Sequence, residues 1–192
     1  MAAVKETKKK YTQEEYLELE RKAELKSEYF KGEIFAMSGV SLAHNKITEN
    51  FKGFLYVNLK GKGYNTYGSD LRLHIPLNTL YTYPDITVVC GKEELLDERF
   101  DTLLNPTFIT EVLSTSTSDY DTGGKFALYR SIESLKEYWA ISSFDYRIQK
   151  FVKNISNNTW ILSETISPND SMLLESFGFT ISMQEVYEGV TF

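Results

Sequence analysis

A glutamate, Glu111, stands in the middle of "FITEVL", a run whose other residues predict a buried strand. A carboxylate in such a strand is expensive to desolvate unless something compensates it. Two readings are open, a solvated edge position and a bound cation. Asp85 directly follows Pro84 at the mouth of another strand, "YPDITVVCG". If the two strands are neighbours, two carboxylates approach each other from adjacent backbones. Like charges so placed repel, unless a hard divalent cation sits between them. Carboxylate and carbonyl oxygens are the donors that Mg²⁺ or Mn²⁺ prefers, and the carbonyl of Val112 is a natural extra ligand. Lys125 follows in "GGKFALYRSIESL", where a helix is expected. On that helix positions 125, 128, 129 and 132 share a face, so Lys125 lies with Leu128, Tyr129 and Ile132. The competing reading is an ordinary ion pair, Asp121 to Lys125, worth about 0.2–0.5 kcal/mol.

The elements that must position these residues are readable from pattern. Thr12 and Glu15 have capping-box spacing, which predicts a first helix through "EYLELERK". "YFKGEIFAMSG" predicts a turn at Gly32 into a short strand near Glu33–Ser38. Ser41 is placed to cap a longer helix on which Ile47, Phe51, Phe54, Leu55 and Leu59 recur at helical spacing. "YNTYGSDLRLHIP" places Leu71, Leu73 and Ile75 on one side of a strand closed by Pro76, and "KEELLDERF" predicts one helical turn. "KEYWAIS" is a further strand, "RIQKFVKN" and "NTWILSET" form hairpin candidates, and Ser182 with Glu185 opens a short final helix. The sum is a mixed α/β domain over residues 12–192, behind a loose basic arm at 1–11.

With 192 residues, 42% of them hydrophobic, the chain can bury a full core, and length favours one domain. The single cysteine, Cys90, excludes an internal disulfide and a cysteine-based zinc cluster and points to a reducing, cytoplasmic home. No apolar run approaches the roughly 18 residues of a membrane span, and "MAAVKETKKKY" lacks the apolar stretch of a secretory signal. The formal net charge of −6 argues against nucleic-acid binding by bulk electrostatics. It leaves room for a metal-dependent enzyme acting on phosphates, in which acids collect cations and local lysines steer.

"PD", then "EVL", then a lysine on the following helix resemble the PD-(D/E)XK nuclease superfamily. Within it the chain looks most like the restriction-endonuclease-like Uma-two family of bacterial proteins. The likeness covers about residues 12–185 through "YFKGEIFAMSG", "AHNKI", "SDLRLHIPLN", "YPDITVV", "EVLSTSTSDYD", "KFALY" and "LKEYWAIS". It implies a four-stranded mixed sheet flanked by helices, with the site where two central strands diverge. It implies Asp85 and Glu111 as metal-binding carboxylates for Mg²⁺ or Mn²⁺. The superfamily's lysine position, two residues after the glutamate, is Leu113 here, which makes Lys125 the replacement. Glu33 matches an upstream acid, with Glu28 competing in the same stretch. His44, Asp70 and Asp121 also match family positions; for each the alternative is a cap, a turn or packing. For Tyr129 and Trp139 the core is the expected place. The implied reaction is hydrolysis of a phosphodiester bond, in DNA, by a homodimer. Two alternatives stay open: a degenerate relative that binds nucleic acid or a protein without cutting, and a metal-free acid–base hydrolase.

Overall fold

The structure, a computed structural model, describes residues 9–114 and 120–192. Residues 1–8 of the expected basic arm lie outside the described residues, and so does the side chain of Asp121. Helix α1 (Gln13–Glu20) opens with the Thr12–Glu15 capping box. Strands β1 (Ser27–Phe30) and β2 (Glu33–Ala36) form a hairpin through Gly32, whose φ of 89° suits a residue without a Cβ. Strand β2 ends at Ala36, two residues short of the expected limit. Helix α2 (Leu42–Leu59) starts where the Ser41 hydroxyl accepts the His44 N–H. Then come β3 (Tyr64–Gly68), β4 (Arg72–Ile75), β5 (Leu80–Thr82), β6 (Ile86–Cys90), β7 (Thr102–Leu103) and β8 (Phe108–Leu113). A π-helix (Tyr120–Lys125) and the single turn α3 (Phe126–Tyr129) lead to β9 (Glu137–Ser142), β10 (Ile148–Asn154) and β11 (Thr159–Thr165). The hairpin of β12 (Ser171–Leu174) and β13 (Phe179–Ser182) and the turn α4 (Met183–Val186) close the chain.

The main sheet has six strands in the order β11-β10-β9-β8-β6-β3, with β8 and β9 parallel and the other pairs antiparallel. A second, five-stranded sheet runs β2-β1-β5-β4-β7. Two mixed sheets thus replace the single four-stranded sheet expected from sequence. Strand alternation gives the main sheet two apolar faces. Ile86, Val88, Phe108, Val112, Trp139 and Ile141 meet Ile47, Phe51, Leu55 and Leu59 of α2, with the Phe51 and Trp139 rings stacked at 5.2 Å. On the reverse face Val89, Ile109, Leu113, Tyr138 and Ala140 meet Phe126, Tyr129 and the inner residues of β4 and β5. No helix among the described residues is long and apolar enough to cross a membrane.

Two elements differ from expectation for local reasons. The helix predicted over "GGKFALYRSIESL" shrinks to a π-turn and one α-turn. Its continuation is intercepted: the Ser131 hydroxyl and the Asn78 amide both donate to the Leu128 carbonyl, at 2.7 and 3.2 Å. A side chain on that carbonyl substitutes for the next turn. In "KEELLDERF" no helical turn forms: a tight turn is confined to 97–100, where the Phe100 N–H meets the Asp97 carbonyl at 3.4 Å, and the flanking residues are extended, with Leu96 and Leu104 amides bonded to the Thr102 and Glu94 carbonyls. Arg21 holds this loop through Asp97 and Asp101, both at 2.7 Å.

Candidate functional site

Strands β6 and β8 part beyond the pair Ile86↔Thr110. Pro84 has no N–H to continue the ladder, and the next polar partner comes from a side chain. Asp85 Oδ2 accepts the Val112 N–H at 2.8 Å, so a carboxylate fills the place that a backbone carbonyl would take. On the other side of the same oxygen lies His44 Nε2, at 3.2 Å, from the first turn of α2. The Asp85 N–H faces Glu111 Oε2 at 3.4 Å. Asp85 and Glu111 therefore meet at the fork of two neighbouring strands.

Glu111 is 5% exposed and Lys125 is 7% exposed. Glu111 divides its oxygens: Oε1 accepts from the Tyr129 hydroxyl at 2.6 Å and lies 2.9 Å from Lys125 Nζ, while Oε2 turns to Asp85. Lys125 also lies 3.0 Å from Glu28 Oε1, which the Thr82 hydroxyl approaches as well. A buried ammonium between two carboxylates offsets part of the desolvation of all three. Burial first, then the neighbouring Glu111 and Glu28 charges, hold the Tyr129 hydroxyl well above its ordinary range, so it stays a proton donor to Glu111. Removing that donor with Tyr129→Phe is expected to lower unfolding free energy by about 1.5–3 kcal/mol. Urea denaturation reads it; an unchanged midpoint would mean the hydroxyl contributes nothing to holding Glu111.

Asp85, Glu111, Val112, Lys125, Glu28 and His44 line one cleft of about 290 Å³, together with Tyr83, Ser114 and the segment 35–41. Its donor set fits a hard divalent cation. The Leu113 carbonyl points to the β9 side, where it accepts from Ser143, so the alternating strand turns the Val112 carbonyl toward Asp85. Two carboxylates and a carbonyl, completed by water and substrate oxygens, are a common way to hold Mg²⁺. Among the described residues no three His, Cys, Asp or Glu side chains group into a metal-binding cluster.

The sequence-derived residues separate cleanly in space. Asp85, Glu111, Val112, Lys125, His44 and Glu28 come together. Glu33 does not: it sits beside the hairpin turn, where Oε1 accepts from Lys10 at 2.8 Å, so the upstream acid in the cleft is Glu28. Asp70 lies on an exposed loop, its carboxylate held below the usual range chiefly by the Lys26 hydrogen bond. Tyr129 packs in the core as expected, and its hydroxyl nevertheless reaches the cluster. Its position four residues after Lys125 was the available signal. Thr82 and Phe35 carried no chemical signature in sequence and are placed only by the pairing of β1 with its neighbours.

Comparison with known proteins gives a consistent result. A family model described as "Uma2: Putative restriction endonuclease" matches residues 13–184. Two proteins of Synechocystis sp., both described as uncharacterized, are similar. The first, sll1609, is 37% identical over 163 residues, covering 85% of this chain and 92% of its own. The second, slr1290, is 35% identical over 183 residues, covering 95% and 94%. A crystal structure of a "putative nuclease belonging to DUF820" from Anabaena variabilis superposes with TM-score 0.78, covering 94% of this chain and 99% of that one. At 18% identity that likeness establishes the fold.

Proposed function

The chain belongs to the Uma2 family, and from that premise we propose that it hydrolyses phosphodiester bonds of DNA with the help of Mg²⁺ or Mn²⁺. The observation that carries the reading is the meeting of Asp85, Glu111 and Lys125 at the fork of β6 and β8, in one cleft. The family description and the nuclease-like fold support it. Asp85, Glu111 and the Val112 carbonyl would hold the ion, which when bound neutralises charge on the phosphate and acidifies a water.

The chain's own residues do the rest. Oδ2 of Asp85 is fixed by the Val112 N–H and by His44, and Oε1 of Glu111 by Tyr129 and Lys125. Both carboxylates are thus oriented before substrate arrives, and preorganised charge is worth more than charge that must reorient. Lys125, 2.9 Å from Glu111 and 3.0 Å from Glu28, stands beside the carboxylates, where it would donate to the phosphate oxygen as negative charge grows.

A thermal titration tests the reading. Mn²⁺ at about 100 times its dissociation constant is expected to add roughly 2.7 kcal/mol, or about 5–10 °C of melting temperature. Asp85→Asn is expected to lose that shift and the cleavage of plasmid or oligonucleotide DNA together. A second reading, a nuclease fold that binds without cutting, draws on the Lys125–Glu111 contact at 2.9 Å, a counter-charge that the chain itself supplies. A wild-type melting curve that ignores Mn²⁺ would favour it.

A further inference from the structure

Part of the cleft's lining takes no part in the chemistry above. Phe35 lies directly across the β1–β2 pair from Glu28, so both side chains project from one face of the hairpin. Glu28 reaches Lys125 from that face, and Phe35, 46% exposed, stands beside it lining the cleft. Met37 and Val40, the latter 57% exposed, line the cleft nearer the start of α2. The cleft therefore combines charged groups, Glu28 among them, with an apolar, aromatic stretch.

Cations are scarce around it. Lys125 is the single lysine or arginine lining the cleft among the described residues. Lys26, over the Tyr83 ring, and Lys52, near Gly68, flank it. Each is tied to an acid: Lys26 to Asp70 at 2.8 Å and Lys52 to Glu49 at 2.6 Å. Proteins that track either form of strand neutralise phosphates with Lys and Arg, so the cations do not select the form of the strand, and the exposed Phe35 ring is the feature that does. A nucleotide with an unstacked base has the matching two-sidedness, an anionic phosphate and a flat apolar ring that stacks on aromatic side chains. Inside a duplex both faces of a base are covered, and reaching an enzyme surface takes unstacking and unpairing.

We propose that the cleft takes single-stranded or locally unpaired nucleic acid, with the base beside the scissile phosphate stacked on Phe35 against Met37 and Val40. The position of the phosphate rests on the hydrolytic reading; the form of the strand is the added claim. Fluorescence anisotropy of wild-type protein, with and without Mn²⁺, tests it on a labelled deoxyoligonucleotide, its full duplex, a duplex with a central unpaired loop, and the single-stranded RNA of the same sequence. The unpaired forms are expected to bind at least about tenfold tighter than the full duplex, in either sugar series. Phe35→Ala is expected to weaken single-strand binding by roughly 5- to 100-fold, and Phe35→Trp to restore it. Melting curves should stay within a degree or two, because Phe35 is half exposed. Equal binding of duplex, no binding of any oligonucleotide, or indifference to Phe35→Ala in a folded variant overturns the proposal. Cutting is scored on the same oligonucleotides: Phe35-dependent strand preference without cleavage supports the proposal and defeats the hydrolytic reading instead.

Discussion

Glu111→Gln is expected to lower Mn²⁺-dependent DNA cleavage about a thousand-fold while the chain still folds. The amide has nearly the carboxylate's shape. Its oxygen still accepts from the Tyr129 hydroxyl and from Lys125, the two groups that meet Oε1. What changes is the atom turned to Asp85, where an NH₂ group stands in place of Oε2 and no longer accepts the Asp85 N–H. That group repels a cation and cannot ligate it. Lys125 keeps Glu28 at 3.0 Å, so no buried ammonium is left without a counter-charge. Cleavage assays with purified protein measure the rate, and circular dichroism with urea denaturation checks the fold. A folded variant that cuts at the wild-type rate would remove Glu111 from the mechanism.

Lys125→Met is expected to be the most damaging single change, in stability as well as in activity. The ammonium lies 2.9 Å from Glu111 and 3.0 Å from Glu28, and is itself buried. Methionine fills much of the volume but leaves two acids facing each other without a cation. Breaking a buried ionic contact by removing one partner typically costs about 3–5 kcal/mol. Divalent ions give the check. If Asp85 and Glu111 form the ion site, Mn²⁺ stabilises Lys125→Met by more degrees than it stabilises wild type, because it replaces a missing positive charge. A deficit blind to Mn²⁺ would mean that Lys125 serves packing alone.

Much of this cluster was legible in the chain because its signals are local. Glu111 is conspicuous as a lone charge in an apolar strand, and Asp85 by its place after Pro84, where a ladder must end. His44 falls in the first turn of a well-marked helix, and its contact with Asp85 follows once that helix docks on the sheet. Glu28 and Glu33 show the limit. Both are acids on one hairpin, and nothing in their spacing separates them. Only the pairing of β1 with β5, Tyr29 opposite Tyr81, carries Glu28 toward Thr82 and Lys125 and leaves Glu33 beside the turn with Lys10. The helix around Lys125 was overestimated because its periodic apolar positions are real, while its end is set by Asn78 and Ser131 competing for one carbonyl. Asn78 is distant in sequence and invisible to any window.

The chain alone determined its mixed α/β class, its capped helices, its family and the three residues around which a phosphate site is proposed. The class and the capped helices follow from period and cap chemistry, and Glu111 stands out by the high cost of a lone charge in an apolar run, all of which act between near neighbours; the family, and Lys125 with it, came from the resemblance of an ordered series of short motifs. Tertiary structure decided that there are two mixed sheets, that Glu28 and not Glu33 lies in the cleft, that Tyr129 reaches Glu111 from the core, and that Phe35 lines the cleft beside Glu28. The placing of Glu28 and Phe35 depends on which strands pair and in which register. A shift of one residue would turn both side chains to the opposite face.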